Sequence, residues 1–340
     1  MIGDVLPGSK RVAITGIGAK APERIVTNHD IAKLVETNDE WIIERTGIRE
    51  RRFAAEGEAL SHYAIPAARI ALEQAKVAPE EIDLIIVCTL TPDMVFPCTA
   101  ALVGDALGAK NAAAYDLSAG CTGFVYGLAQ AYGMIASGMA RRALVIGGDL
   151  LSKILDMHDR GTVVLFGDGC GAVVVETVAT GGFRGFELGA DGSGGKDLYM
   201  PGGGSLQPAT HESIDRGDHL IHMNGREVFK FATRVLVSSA EHTLAKCGVS
   251  IDDVDVYIPH QANMRIIEYA VDKLGVPEEK VVVNVDRYGN TSGGSIPLAL
   301  ADAQAAGRLK DGALVLMTGM GTGLTWGSAL IEWNGTGEGR

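Results

Sequence analysis

Residues 116–128 read DLSAGCTGFVYGL: a short polar start, a run of small residues around Cys121, then an apolar stretch. Small residues permit a tight strand-to-helix turn, and Phe124, Leu128 and Ala131 follow at helical spacing. The same plan recurs in YGNTSGGSIPLALADA, residues 288–303, again a small-residue turn followed by an apolar helix. Upstream of the two copies lie AKVAPEEIDLIIV, beginning at Ala75, and KCGVSIDDVDVYIP, beginning at Lys246. An offset of 172 residues sets Val77 on Val249, Glu80 to Asp83 on Asp252 to Asp255, and Cys121 on Gly293. Further on, ALVI (143–146) answers ALVL (313–316) and GAVVVE (171–176) answers GSALIE (327–332). The order of matches is the same in both halves. This predicts a duplicated α/β fold, its first half at residues 1–178 and its second at 179–340. Apolar β-branched runs alternate with alanine-rich helical stretches, which fits sheets buried on both faces.

Composition narrows the class. With 46% hydrophobic and 21% charged residues over 340 positions, the chain can build a sizeable core. The net charge of −12 argues against a nucleic-acid or anionic-membrane binder, although it permits a small basic patch. The start, MIGDVLPGSKRVAITG, shows no cationic segment, apolar core or cleavage site, so no secretory leader is expected. Apolar runs such as ALVLM (313–317) fall far short of the roughly 18 residues that suggest a membrane span. Five scattered cysteines without a C-x-x-C pair predict reduced thiols in the cytoplasm and no metal site.

At a helix N-terminus, unpaired N–H groups and the macrodipole favour a thiolate at Cys121, and an oxyanion forming beside it meets the same donors. His260 closes the apolar run VDVYIP, and Asn290 sits in the turn copied from the cysteine's own. By the internal offset, Cys121, His260 and Asn290 occupy equivalent strand ends of one sheet edge. Each alone reads as an ordinary buried thiol, structural histidine or turn amide. Their joint placement is the signal.

Cys121 in SAGCTGF, His260 in HQANMRI and Asn290 in YGNTSGGSIPLAL resemble the Cys-His-Asn set of the β-ketoacyl-acyl-carrier-protein synthase III family. The likeness extends to NDEWIIERTGIRERR, DRGTVVLFGDGCGAVV, GREVFK and GLTWGSALIEW, and so to nearly the whole chain. It implies a thiolase-like fold, two βαβαβ-type halves in α-β-α-β-α layers, and a homodimer. It further implies an initiating condensing enzyme of fatty-acid synthesis, with no cofactor and with the coenzyme A thioester as a substrate. Cys121 would accept an acyl group from acyl-coenzyme A, acetyl above all. His260 and Asn290 would hold the thioester oxygen of malonyl-acyl-carrier-protein during decarboxylation. A second oxyanion hole would use the Cys121 N–H and one from GMGTGLTWG, where Thr322 replaces a glycine found in many relatives. Coenzyme A contacts carry over onto Trp41, Arg45 and Arg160, and acyl-carrier-protein contacts onto Gln261, Ala262, Asn263, Met264, Arg265 and Lys230. Arg226 and Arg234 flank Lys230 at four-residue spacing and, with Arg265 and Lys273, complete a basic patch. Phe96 matches a position that lines the acyl pocket from across the dimer. The alternative is a specialised secondary-metabolism relative that uses another primer or acceptor. A cysteine hydrolase built on Cys121 and His260 is a rival from another class.

Overall fold

A computed structural model of the chain describes residues 10–334, so the start of the stretch examined for a leader, residues 1–9, lies outside the described residues. Five strands make the first sheet: β1 (Val12–Lys20), β2 (Leu84–Cys88), β3 (Ala113–Leu117), β4 (Arg142–Leu150) and β5 (Asp168–Thr177). Their order is β1-β5-β4-β2-β3, with β2 parallel to β3 and β4, and β5 antiparallel to its two neighbours. The second sheet has β6 (Gly182–Ala190), β7 (Val256–Pro259), β8 (Leu314–Gly321) and β9 (Thr325–Glu332). Read as β6-β9-β8-β7, it repeats the first four positions with the same directions. The duplication is therefore structural.

The fifth position differs. KVVVNV reads as a strand, yet it is reduced to a single parallel bridge between Tyr257 and Val281. Side chains have taken its carbonyls: Gln261 Nε2 donates to Val282 O at 3.0 Å and Arg308 Nη1 to Val281 O at 2.9 Å. Both carbonyls thus accept from side chains, and beyond that bridge no strand pairing forms there among the described residues.

Seven helices matter for the site: α1 (Asp39–Thr46), α2 (Ser61–Ala75), α3 (Thr99–Leu107), α4 (Gly123–Ala136), α5 (Gly225–Cys247), α6 (Met264–Leu274) and α7 (Ser295–Ala305). α4 and α7 lie between the two sheets, α2 and α3 cover the outside of the first, and α5 covers the outside of the second with α6 beside it. This gives the five layers. Strand periodicity gives the central strands two apolar faces. Along β2, Leu84, Ile86 and Cys88 face the central helices, while Ile85 and Val87 face α2 and α3. α2 sits backbone-close on β1: a β-carbon at Gly18 would fall 2.0 Å from the Ala67 carbonyl oxygen. Its alanine face, Ala64, Ala67, Ala68, Ala71 and Ala75, is the shape that such an approach requires. Phe124, wholly buried between the sheets, is a side chain whose truncation to alanine costs about 3–5 kcal/mol.

Candidate active site

Each central helix opens from a 3-10 turn, and these entry turns carry the chemistry. β3 leads into a 3-10 turn, Gly120–Thr122, and then into α4; a matching turn, Ser292–Gly294, leads into α7. Gly120 and Ser292, 172 residues apart, both adopt positive φ, +58° and +50°. His260 follows β7 directly, and Asn290 precedes the second turn. Backbone bonds fix Asn290 across the two halves: its N–H donates to Leu165 O and its carbonyl accepts from Gly167 N, both at 2.9 Å.

Cys121, His260 and Asn290 line one narrow cavity of about 90 Å³, with Phe229, Ala262 and Met320 among its walls. Cys121 also borders a wider, mostly apolar cavity of about 400 Å³ formed by Leu90, Leu151, Ile154, Leu198 and Tyr199. Cys121, Phe166 and Leu198 are common to both. The three expected residues thus meet, and the cysteine stands where the two spaces join.

The thiol itself departs from the expectation of a favoured thiolate. Burial pushes Cys121 up to about 12, and the nearby Asp149 carboxylate opposes ionisation further. The Ser292 hydroxyl and the N–H groups of Cys121 and Thr322 pull the other way without prevailing. Sequence spacing places the helix end correctly, but Cys121 is only 4% exposed and its low-polarity surroundings outweigh the dipole.

His260 is equally buried, and burial holds its imidazole down to about 3, so the ring is neutral. Its Nδ1 lies 2.6 Å from Ser295 Oγ. With the Ser295 hydroxyl donating, the ring proton sits on Nε2, a buried atom with no hydrogen-bond partner among the described residues. The Asn290 Oδ1 accepts from the Ser292 N–H at 2.8 Å, which turns its Nδ2 donor away from the turn. Two neutral N–H donors beside one thiol suit a developing oxyanion. On the other side, a β-carbon at Gly321 would lie 2.4 Å from the Cys121 nitrogen, so the Gly321–Thr322 backbone is already in contact with the nucleophile turn.

The peripheral residues divide. Arg45 and Arg160 place their guanidinium carbons 5.9 and 5.1 Å from the Trp41 ring, so the expected coenzyme A residues form one cluster at the surface. Arg265 and Lys230 are exposed, as are Arg226, Arg234 and Lys273, on the neighbouring helices α5 and α6. Asn263 caps α6 by accepting from the Arg265 N–H at 2.9 Å, and Met264 is half-buried. Gln261 and Ala262, also expected at the carrier contact, are buried. The Gln261 amide is spent internally on Pro259, Val282, Asn284 and Val285. Phe96 is 83% exposed and borders neither cavity of its own chain. Sequence reasoning missed Asp149, Ser292 and Ser295. The signals were a lone acid closing the strand ARRALVIGGD and two hydroxyls inside the quoted turn.

Residues 115–192 match the family described as 3-oxoacyl-(acyl-carrier-protein) synthase III, and residues 244–333 match its C-terminal part. A β-ketoacyl-(acyl-carrier-protein) synthase III of Desulfitobacterium hafniense is 54% identical over 324 residues, covering 95% of this chain and 98% of its own length. Among solved structures, the 3-oxoacyl-(acyl-carrier-protein) synthase III of Aquifex aeolicus has a TM-score of 0.88 at 46% identity, covering 96% of this chain and all of its own. The Thermus thermophilus β-ketoacyl synthase III also reaches 0.88, at 48% identity, covering 95% of this chain and 100% of that one. With its thiolase-like layers and this degree of identity over nearly its whole length, the chain belongs to the β-ketoacyl-acyl-carrier-protein synthase III family, the condensing acyltransferases that start fatty-acid synthesis.

Proposed function

We propose that the chain joins an acyl group, acetyl in the first instance, from coenzyme A to malonyl-acyl-carrier-protein in two half-reactions at Cys121. In the first, the sulfur adds to the acyl thioester carbonyl and coenzyme A leaves as its thiol. The Cys121 and Thr322 N–H groups receive the oxyanion. In the second, the carrier-bound malonyl thioester loses carbon dioxide, and the electron pair passes to an enolate oxygen held by His260 Nε2 and Asn290 Nδ2. The enolate carbon attacks the acyl-cysteine and expels the Cys121 thiolate. The observation that carries this reading is the pair of neutral donors converging with a single thiol on one cavity. A hydrolase would want His260 as a base, and burial keeps that ring from taking a proton.

The Trp41, Arg45 and Arg160 cluster receives the nucleotide end of coenzyme A. The reading requires no cofactor. It includes a cytoplasmic homodimer in which Phe96 closes the partner's wide cavity and restricts it to short primers. Consistent with that location, no helix among the described residues is long and apolar enough to cross a membrane. Incubation with a panel of acyl-coenzyme A species, followed by mass analysis of peptides, tests the first half-reaction. The expected result is a stable acetyl adduct on Cys121; release of free acid without an adduct would favour the hydrolase.

Arg226, Lys230, Arg234, Arg265 and Lys273 form the contact for the acidic carrier. Reversing charge at Lys230 and Arg265 together should raise KM for malonyl-carrier-protein roughly tenfold and flatten its salt dependence. Transfer from acyl-coenzyme A should change little. An equal loss with both substrates would place these residues outside a carrier-specific contact.

A further inference from the structure

Ser292 has no part in the reaction as described, yet its position is costly. It is one of two described non-glycine residues with positive φ, at +50°, in a region where a β-carbon is crowded. The first half solves the same turn with Gly120 at +58°. A serine is therefore kept where the fold has a less strained answer. What it brings is a hydroxyl. Its Oγ is buried, closes no hydrogen bond of normal geometry, and belongs to a residue that lines the wide cavity together with Cys121.

That hydroxyl has one proton and two claimants. One is the Cys121 sulfur; the other is the Asp149 carboxylate, wholly buried at the end of β4. Asp149 is already well supplied. Its Oδ1 accepts from Thr89 Oγ1 at 2.9 Å, the Leu90 N–H at 2.7 Å, and the Thr91 N–H and Oγ1 at 3.1 Å. Its Oδ2 accepts from the Gly293 N–H at 3.0 Å. The sulfur, on becoming a thiolate, gains more from one further donor than the carboxylate does. The other titratable groups nearby are His260, neutral at the end of β7, and Cys88 and Cys170, which lie beside the carboxylate on β2 and β5. From β8 and β9 the turn is faced by Gly319, Gly321 and Gly327, and Thr122 by Thr325. Asp116, on β3, is occupied by the N–H groups of Thr99 and Ala100. Asp149, whose carboxyl burial holds above the usual carboxylate range, is then the acid that opposes charge on Cys121.

We infer that Ser292 is a positioning residue of the loading half-reaction: its hydroxyl turns to the Cys121 sulfur as charge forms there and shields it from Asp149. The inference rests on Cys121 being the acyl acceptor.

The test is the rate of Cys121 alkylation by iodoacetamide, followed by peptide mass analysis from pH 6 to 10. It is run on the full chain and on Ser292→Gly and Ser292→Ala. Both variants keep the backbone N–H that holds Asn290. Both should react about tenfold more slowly at each pH below the midpoint, a displacement of the profile upward by about one unit. Ser292→Gly should also melt no lower than the parent, since glycine relaxes the turn. A parallel slowing in both variants identifies the hydroxyl. An unmoved profile in both, with Cys121 still labelled in the parent, overturns the inference and leaves the proposed function standing. Failure of the parent to be labelled at Cys121 at any pH overturns both.

Discussion

Cys121→Ala is expected to lose acyl transfer from acyl-coenzyme A while still releasing carbon dioxide from malonyl-carrier-protein. His260→Ala and Asn290→Ala should show the reverse: acetyl still loads onto Cys121, but decarboxylation falls about 10²–10³-fold, the typical cost of one preorganised oxyanion donor. The crossing follows from the proposed mechanism. There the donors to the first oxyanion are backbone N–H groups of residues 121 and 322, which survive substitution at 260 or 290, and the donors to the enolate are side chains alone. His260 Nδ1 lies 2.6 Å from Ser295 Oγ, and burial keeps the ring neutral down to about pH 3. Decarboxylation by Cys121→Ala should consequently show no inflection between pH 5 and 8 from this ring. A folded-state value below the ordinary histidine value also has a stability cost: as pH falls from about 6.5 toward 3, the unfolded chain takes up a proton that the native one refuses. Radiolabelled carbon dioxide release and peptide mass analysis read the two half-reactions separately. Loss of loading with intact decarboxylation in His260→Ala would make His260 the base for the thiol and refute this mechanism.

Gly321→Ala should be nearly as damaging without touching any polar side chain. The added β-carbon would lie 2.4 Å from the Cys121 nitrogen and 3.1 Å from its Cα, distances that force the backbone apart. Neither side has slack. Gly321 is paired with Thr325 across β8 and β9, and a β-carbon at Gly120 would already meet the Thr322 nitrogen at 2.8 Å. The parts that move are the N–H donors of the first oxyanion hole. Transfer from acyl-coenzyme A is expected to drop about 10²-fold or more. Gly204→Ala, where the new methyl meets nothing within 4 Å, serves as the control. Near-parental loading by Gly321→Ala would show that these N–H groups do not receive the oxyanion.

The repeat was legible because strands buried on both faces and glycine-rich entry turns leave a pattern that survives duplication. The meeting of Cys121, His260 and Asn290 at one cavity was legible for the same reason, since the repeat sets their three loops at one end of the sheets. Three features were hidden. The reduction of KVVVNV to one bridge goes with Gln261 and Arg308 donating to its carbonyls, contacts between distant positions that no local propensity encodes. The raised Cys121 thiol depends on burial and on Asp149, 28 positions away in sequence but adjacent in space. The inward turn of Gln261 depends on backbone groups at Pro259, Val282, Asn284 and Val285 that its carboxamide satisfies, contacts that the run HQAN does not reveal.

That amide has a consequence for how the two halves tolerate change. In the first half, the edge beyond β2 is held by a ladder of main-chain bonds with β3, to which every residue type but proline can contribute. In the second, one glutamine stitches the segment after β7 through both ends of its carboxamide. The loop that presents His260 thus leans on one side-chain amide, with Arg308 and the His260 N–H to Thr318 O as its other ties. Random mutagenesis should find the first edge permissive and the second brittle at one codon, and a designer grafting this loop onto another scaffold must carry Gln261 with it.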